Sequence, residues 1–198
     1  EYDSMKTTSF TEDWFSRSIP SWDIIFSSMK SPKFFLEIGS HEGRSACYMI
    51  AKAKNDIDIT CIDIWEDYEV EQRFDNNIDF FISNSKNSIN INKIKSKSKE
   101  YLIKLLSEGH AGKFDFIYVD GSHTSQDVLY DAILALDLLK VGGFLVFDDY
   151  LWFDPKYCSN DFNDTPKPAI DAFTNIYRNR LQIIANMPLY QLYAIKIK

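Results

Sequence analysis

Two apolar runs that end abruptly in carboxylates constrain this chain more than any other feature. The first is Phe114-Asp115-Phe116-Ile117-Tyr118-Val119, closed by Asp120-Gly121-Ser122-His123, and the second is Gly143-Phe144-Leu145-Val146-Phe147, closed by Asp148-Asp149. Short apolar runs bounded by turn signals predict buried strands. Residues 124–140 between them predict a helix, with Val128, Ala132, Ala135, Leu136 and Leu139 at i, i+4, i+7, i+8 and i+11. Strand, helix and strand of this length imply a right-handed parallel crossover. Adjacent parallel strands lie about 4.8 Å apart. Their carboxyl ends would gather Asp120, Asp148 and Asp149, with His123 just beyond, at the edge where open α/β sheets bind ligands. A single acid at a strand end is an ordinary turn residue, but four such groups projecting to one edge suggest a site. Three crowded carboxylates repel unless a cation joins them, and Mg²⁺, which favours oxygen ligands, is the expected ion.

The rest of the chain supports one α/β domain over 1–198, with a helical N-terminal extension over 1–32 and a catalytic core over 33–198. Residues 1–13 are polar and are expected to be loose. Residues 21–29 predict a short amphipathic helix carrying Trp22, Ile25, Phe26 and Met29, with Pro20 suited to its first turn. Residues 34–38 predict a strand, followed by a Gly-containing loop and an Ala-rich helix to about Lys54. Residues 57–62 predict a second strand that stops at Asp63. Within 66–92, Phe74, Ile78, Phe81 and Ile82 keep helical spacing before an Asn- and Ser-rich stretch that is expected to be mobile. Residues 91–95 predict a short third strand. The alternating Lys93, Lys95, Lys97 and Lys99 read as a solvated edge in an acidic chain. Leu102, Leu105 and Leu106 mark a short helix ending at Gly109. Residues 150–157 form an aromatic loop that either stacks on a ligand or caps the core. Pro168 opens a helix with Ile170, Phe173 and Tyr177 on one side, and residues 182–185 and 190–197 have hairpin spacing.

Net charge of −7 and a pI near 5.0 argue against a general nucleic-acid or anionic-membrane binder. Cys47, Cys61 and Cys158 are too few and too scattered for a disulfide framework or a zinc site; the first two fall in apolar segments and are expected as core thiols. A reducing, cytoplasmic setting is expected. No signal peptide or apolar run of about 18 residues is present to suggest a membrane span.

The loop after the first strand, Glu37-x-Gly39-x-x-x-Gly43, occupies the place of a dinucleotide fingerprint but lacks one of its glycines and carries an acid. A carboxylate there repels phosphate and suits a ligand with an ammonium group, with Gly39 allowing close backbone approach. Asp63, at the end of the next strand, is placed to accept hydrogen bonds from ribose hydroxyls. An amino acid joined to a ribonucleoside satisfies both acids, and S-adenosylmethionine is such a molecule.

Glu37-Ile38-Gly39-Ser40-His41-Glu42-Gly43-Arg44-Ser45 resembles motif I of class I S-adenosylmethionine-dependent methyltransferases, and Cys61-Ile62-Asp63-Ile64-Trp65 resembles their second motif. Together with Asp120-Gly121-Ser122-His123 and Asp148-Asp149, the chain from about residue 34 is similar to the metal-dependent small-molecule O-methyltransferases, the macrolide-sugar enzymes most closely and the catechol enzymes more distantly. The resemblance implies a Rossmann-like α/β fold: a mostly parallel seven-stranded sheet with an antiparallel C-terminal hairpin and helices on both faces. It implies Asp120, Asp148 and Asp149 as Mg²⁺ ligands and His123 as general base. It places Glu37, Gly39, Ser40, Gly43, Ser45, Asp63, Trp65 and Asp120 around the cofactor, with Ser98 on the adenine side. His41 departs from the pattern, standing where many relatives carry glycine.

The expected reaction is methyl transfer to a hydroxyl of a small molecule, a sugar first and a catechol-like ring second. No nucleic acid or membrane is an expected partner. The short N-terminal region leaves room for a second subunit at the site, so a homo-oligomer is an expectation. The rival readings are a non-catalytic S-adenosylmethionine-binding module, a nicotinamide-dependent oxidoreductase, and methylation of nitrogen or a macromolecule.

Overall fold

The computed structural model describes residues 8–156 and 161–198. Its centre is a seven-stranded sheet: β1 (Phe34–Ile38), β2 (Ile57–Asp63), β3 (Ile89–Lys95), β4 (Phe114–Val119), β5 (Leu139–Phe147), β6 (Leu181–Ile183) and β7 (Leu192–Lys196). The spatial order is β3-β2-β1-β4-β5-β7-β6. The first five strands pair in parallel, whereas β7 is antiparallel to both β5 and β6. The mostly parallel sheet with an antiparallel C-terminal pair agrees with expectation.

The helices are α1 (Ile19–Ser28), α2 (Arg44–Lys52), α3 (Tyr68–Ser83), α4 (Ser98–Ser107), α5 (Ser125–Leu138) and α6 (Pro166–Ile176). None of the helices among the described residues is long and apolar enough to cross a membrane. On one face of the sheet, α4, α5 and α6 bury Leu102, Ala132, Leu136, Ile170 and Phe173 against Ile117, Leu145 and Phe147. On the other face, α1, α2 and α3 bury Trp22, Ile25, Met49 and Phe74 against Phe35, Ile59, Phe116 and Val146. Trp22 anchors that second layer edge-on to Phe15, Tyr48, Phe116 and Tyr118. Edge-to-face packing lets ring edges meet the electron-rich faces of their neighbours. Its indole nitrogen, sunk in this apolar layer, donates to Gln191 Oε1 at 2.7 Å. Cys47 and Cys61 are buried thiols, as expected; Cys158 and Tyr157 lie outside the described residues.

Several boundaries differ from expectation, each for a local reason. The segment after α3 is short, and β3 begins at Ile89 because all seven of its residues pair with β2. Lys93 and Lys95 on it reach Glu71 and Asp75, a charge-paired solvent edge. Strand β5 starts at Leu139, directly after α5, because Leu139 pairs with Phe114 ahead of a register shift. Helix α6 opens on Pro166 rather than Pro168; proline suits the first turn because its missing N–H would be unpaired there anyway. Of the N-terminal residues expected to be loose, 1–7 lie outside the described residues, and 9–13 lie against the loop after β1, the start of α2, and α3 through paired backbone and side-chain groups.

The order of the strands creates the site. The chain runs from β1 outward to β2 and β3, then returns to place β4 on the other side of β1. Crevices at the carboxyl ends of strands open where the winding direction switches in this way. The register aligns Ile38 with Ile62 and Val119, and Val119 with Phe147. The next residues, Gly39, Asp63, Asp120 and Asp148, therefore line up along one edge, and backbone bonds Gly39 N to Ile62 O, Asp120 N to Ile38 O and Asp148 N to Val119 O (2.8–3.0 Å) hold them.

Candidate active site

The loop from Gly39 to Gly43 turns through two left-handed glycines, with His41 also at positive φ. Gly39 is required for a reason the sequence did not reveal. A Cβ on it would fall 1.8 Å from the Asp120 carbonyl oxygen, so β1 and β4 approach each other here only because the side chain is absent. Asp63 braces the crest of the loop, accepting from the His41 amide at 2.8 Å through one oxygen and from the Trp65 amide at 2.9 Å through the other. The Trp65 indole donates to His41 O at 2.9 Å. Trp65 is thus buried beneath the loop, packed on Phe74.

Glu37 is fully buried under the same loop. Its carboxylate accepts from Ser40 Oγ at 2.6 Å and also from Ser45 Oγ. Burial pushes its pKa up to about 7, opposed by those two hydroxyls and assisted by the nearby Asp63 charge. Glu37 ties Ser40 and Ser45 together beneath the loop. Ser98 opens α4 beside Asp131, a buried α5 carboxyl that burial raises to about 7 and the Ser98 hydroxyl pulls back. Asp131 Oδ1 has no hydrogen-bond partner.

On the other side of the switch, Asp120, His123 and Asp149 each present a ligand atom within 4.8 Å of one another. His123 Nε2 lies 2.7 Å from Asp149 Oδ2, and its ring packs against Trp152 at 4.5 Å between centroids. Asp149 reaches this position from a left-handed backbone conformation. Asp148 is turned inward instead. It accepts from the Tyr118 hydroxyl at 2.6 Å and from the Asp149 amide at 2.9 Å. The structure therefore gathers two of the three acids expected as ligands, together with His123, and holds the third just behind them. Burial, followed by the charges of Asp148 and Asp149, pushes Asp120 well above the usual carboxylate range; burial and Asp149 raise Asp148. Among the described residues no lysine or arginine pairs with these acids, and a donor set of hard oxygens and one imidazole suits a divalent cation.

Tyr118 and Gln191 were missed in the sequence. The Tyr118 hydroxyl also lies 3.1 Å from Asp120 Oδ2 and accepts from Gln191 Nε2 at 3.1 Å, while Gln191 Oε1 takes Trp22 and Tyr193. The available signal was a hydroxyl-bearing ring within a core strand and a single amide before the last apolar run. A cavity of about 660 Å³ opens at the opposite end of the strands, between Ile24, Met29, Val141, Ile183 and Met187, well away from these acids.

A family model described as "Methyltransferase domain" matches residues 36–150. "Probable caffeoyl-CoA O-methyltransferase 3" of Dictyostelium discoideum is 29% identical over 145 residues, covering 70% of this chain and 51% of that protein. An uncharacterized protein of Acanthamoeba polyphaga mimivirus is 33% identical over 120 residues, covering 59% and 51%. The chain spans about half the length of these curated relatives. Among solved structures, an O-methyltransferase from Bacillus cereus in complex with SAH (S-adenosylhomocysteine) superposes with a TM-score of 0.67 at 15% identity, covering 96% of this chain and 84% of that one. The MycE methyltransferase of the mycinamycin biosynthetic pathway, in complex with Mg and SAH, gives 0.61 at 19% identity, covering 94% and 51%. Those likenesses are to the fold. The family match itself spans more than half of the sequence and contains both the loop after β1 and the acid cluster, so the chain belongs to the methyltransferase-domain family.

Proposed function

We propose that this chain is an S-adenosylmethionine-dependent, divalent-metal-dependent O-methyltransferase acting on a hydroxyl of a small molecule. The observation that carries the reading is the convergence of Asp120, His123 and Asp149 beside the Gly39 loop. We assign cofactor binding to the 39–43 loop, Asp63 and the Ser98 end of α4, with Glu37, Ser40, Ser45 and Trp65 holding that loop in shape from below. Bound S-adenosylmethionine supplies an electrophilic methyl group. We assign metal binding to Asp120 and Asp149, with Asp148 held behind them by Tyr118. The cation, when bound, supplies Lewis acidity toward the acceptor hydroxyl.

His123 takes the hydroxyl proton at Nδ1, since Nε2 is the nitrogen that donates to Asp149 Oδ2. Asp149 orients the ring and stabilises the imidazolium formed. Trp152 walls one side of His123. The preferred acceptor is a sugar hydroxyl. A catechol-like ring is the second reading, favoured by the flat Trp152 surface beside His123 and by the name of the Dictyostelium relative. The nicotinamide-dependent reading finds no support in the family match, whereas a non-catalytic binding module would share the cofactor half of the site without turnover.

The test is calorimetry with S-adenosylmethionine and SAH, followed by SAH release assays over sugar glycosides, catechol and caffeate, with Mg²⁺ or with excess chelator. Binding followed by chelator-sensitive methylation is expected. No binding of either compound at millimolar concentration would sink the cofactor assignment; full activity in chelator would remove the metal.

A further inference from the structure

The six residues Ser9 to Trp14 carry no regular secondary structure apart from bends, yet three side chains, Glu42, Arg44 and Asn77, hold them. Glu42, almost completely buried in the loop after β1, accepts from Thr11 N at 2.8 Å, Thr11 Oγ1 at 2.7 Å and Arg73 Nε at 2.6 Å. Asn77 of α3, fully buried, accepts from Ser9 N at 2.7 Å and donates to both Ser9 O and Glu42 O. Arg44 at the start of α2 donates to Glu12 O at 3.2 Å and lies 4.4 Å over the Phe10 ring. The peptide then delivers Trp14, still largely exposed, against the His41 ring at 5.2 Å. His41 is the residue whose amide Asp63 holds and whose carbonyl Trp65 holds.

These contacts have a directional consequence. A buried carboxylate is tolerable only while its donors are present, and removing them leaves an underpaired charge. Burial alone would raise the Glu42 pKa, but Thr11 and Arg73 outweigh it and hold the group below its usual range. Two of the three donors belong to one residue of the N-terminal peptide. If that peptide lifts, Glu42 is left facing Arg73 alone, and the loop containing it loses its seat.

We propose that residues 9–14 are a strap that completes the cofactor site, with the Thr11–Glu42 contact as its latch and Trp14 as its cover over His41. Thr11, Glu42 and Asn77 are positioning residues: they hold the loop that binds the cofactor and do not touch the reacting atoms. The inference rests on the cofactor reading above and adds that retention of the cofactor depends on a segment preceding the family-matched region, which begins at residue 36.

The experiment compares the parent chain with Thr11→Val, Thr11→Ser and Glu42→Gln. It uses SAH calorimetry, stopped-flow release of SAH, hydrogen exchange of the 40–44 amides without ligand, and steady-state kinetics. Thr11→Val keeps the backbone bond and loses the hydroxyl bond, so it tests the latch even if Glu42→Gln fails to fold. Thr11→Val should release SAH about three- to tenfold faster, raise KM for S-adenosylmethionine in proportion, and leave kcat at saturation unchanged; Thr11→Ser, which keeps the hydroxyl, should hold both release rate and KM at parent values. The loop amides should exchange faster in Thr11→Val even in the absence of ligand. Unchanged exchange and unchanged SAH release in Thr11→Val overturn the strap, as does a loss confined to kcat. Failure of the parent chain to bind SAH would instead strike the cofactor reading, whereas faster loop exchange in the variants would still support the latch as a loop brace.

Discussion

His123 Nε2 stands 2.7 Å from Asp149 Oδ2, joining the ends of β4 and β5 across a gap of 26 residues in sequence. This contact fixes the direction of the imidazole and places a carboxylate where positive charge would form on proton uptake. His123→Ala should lower kcat by roughly 10²–10⁴ with little change in SAH affinity, the usual loss for a general base. Steady-state kinetics on the best acceptor together with calorimetry check it. An unchanged kcat would reduce His123 to a structural hydrogen bond.

The acids beside it store repulsion. Asp120 and Asp148 have folded-state pKa values above the ordinary carboxylate range, through burial first and neighbouring charge second. The folded protein therefore binds more protons than the unfolded chain in that interval. The stability contribution is complete at acid pH and is lost as pH rises through the folded values. In metal-free protein, Asp120→Asn should raise Tm at pH 8 while abolishing activity, by about 2–4 °C for each kcal/mol of repulsion removed in a chain of this size. Millimolar Mg²⁺ should raise Tm of the parent protein more at pH 8 than at pH 5. A Tm indifferent to divalent cations would count against the metal assignment.

Gly39→Ala tests the closeness of β1 and β4. The added carbon would meet the Asp120 carbonyl at 1.8 Å, in a backbone conformation at φ +87° that suits glycine. Neither a flexible side chain nor a cavity is there to absorb it. A loss of several kcal/mol or failure to fold is expected, beyond the effect of an ordinary surface change. Urea unfolding measures it, and a parent-like midpoint would mean the two strand ends are not in contact.

Glu37 makes stability depend on pH on its own account. Its pKa rises in the folded state from 4.5 to about 7, mainly through burial. The associated stability is full below about pH 4.5 and declines as pH rises through 7. Glu37→Gln should flatten this part of the pH dependence relative to the parent chain, read as urea midpoints from pH 4 to 8. Parallel curves for the two proteins would show that the carboxyl titrates alike folded and unfolded.

Strand identities, their parallel arrangement and the acid-bearing edge were legible because buried parallel strands are written as continuous apolar runs, and Asp120 or Asp148 can only end such a run. Side-chain direction at that edge was not legible. Asp148 and Asp149 are adjacent and chemically identical, yet one turns in to Tyr118 and the other out to His123, a choice made by the left-handed backbone at Asp149. The position of Glu37 in the motif says nothing of the two serine hydroxyls that enclose it. The contact of Thr11 with Glu42, 31 residues away, joins polar groups of an irregular segment and leaves no periodic trace. Sequence alone determined which chain segments reach the site, since burial of apolar surface is periodic and local. Only the tertiary structure decided which polar atoms meet there, because those pairings depend on the approach of segments distant in the chain and on backbone turns of one or two residues.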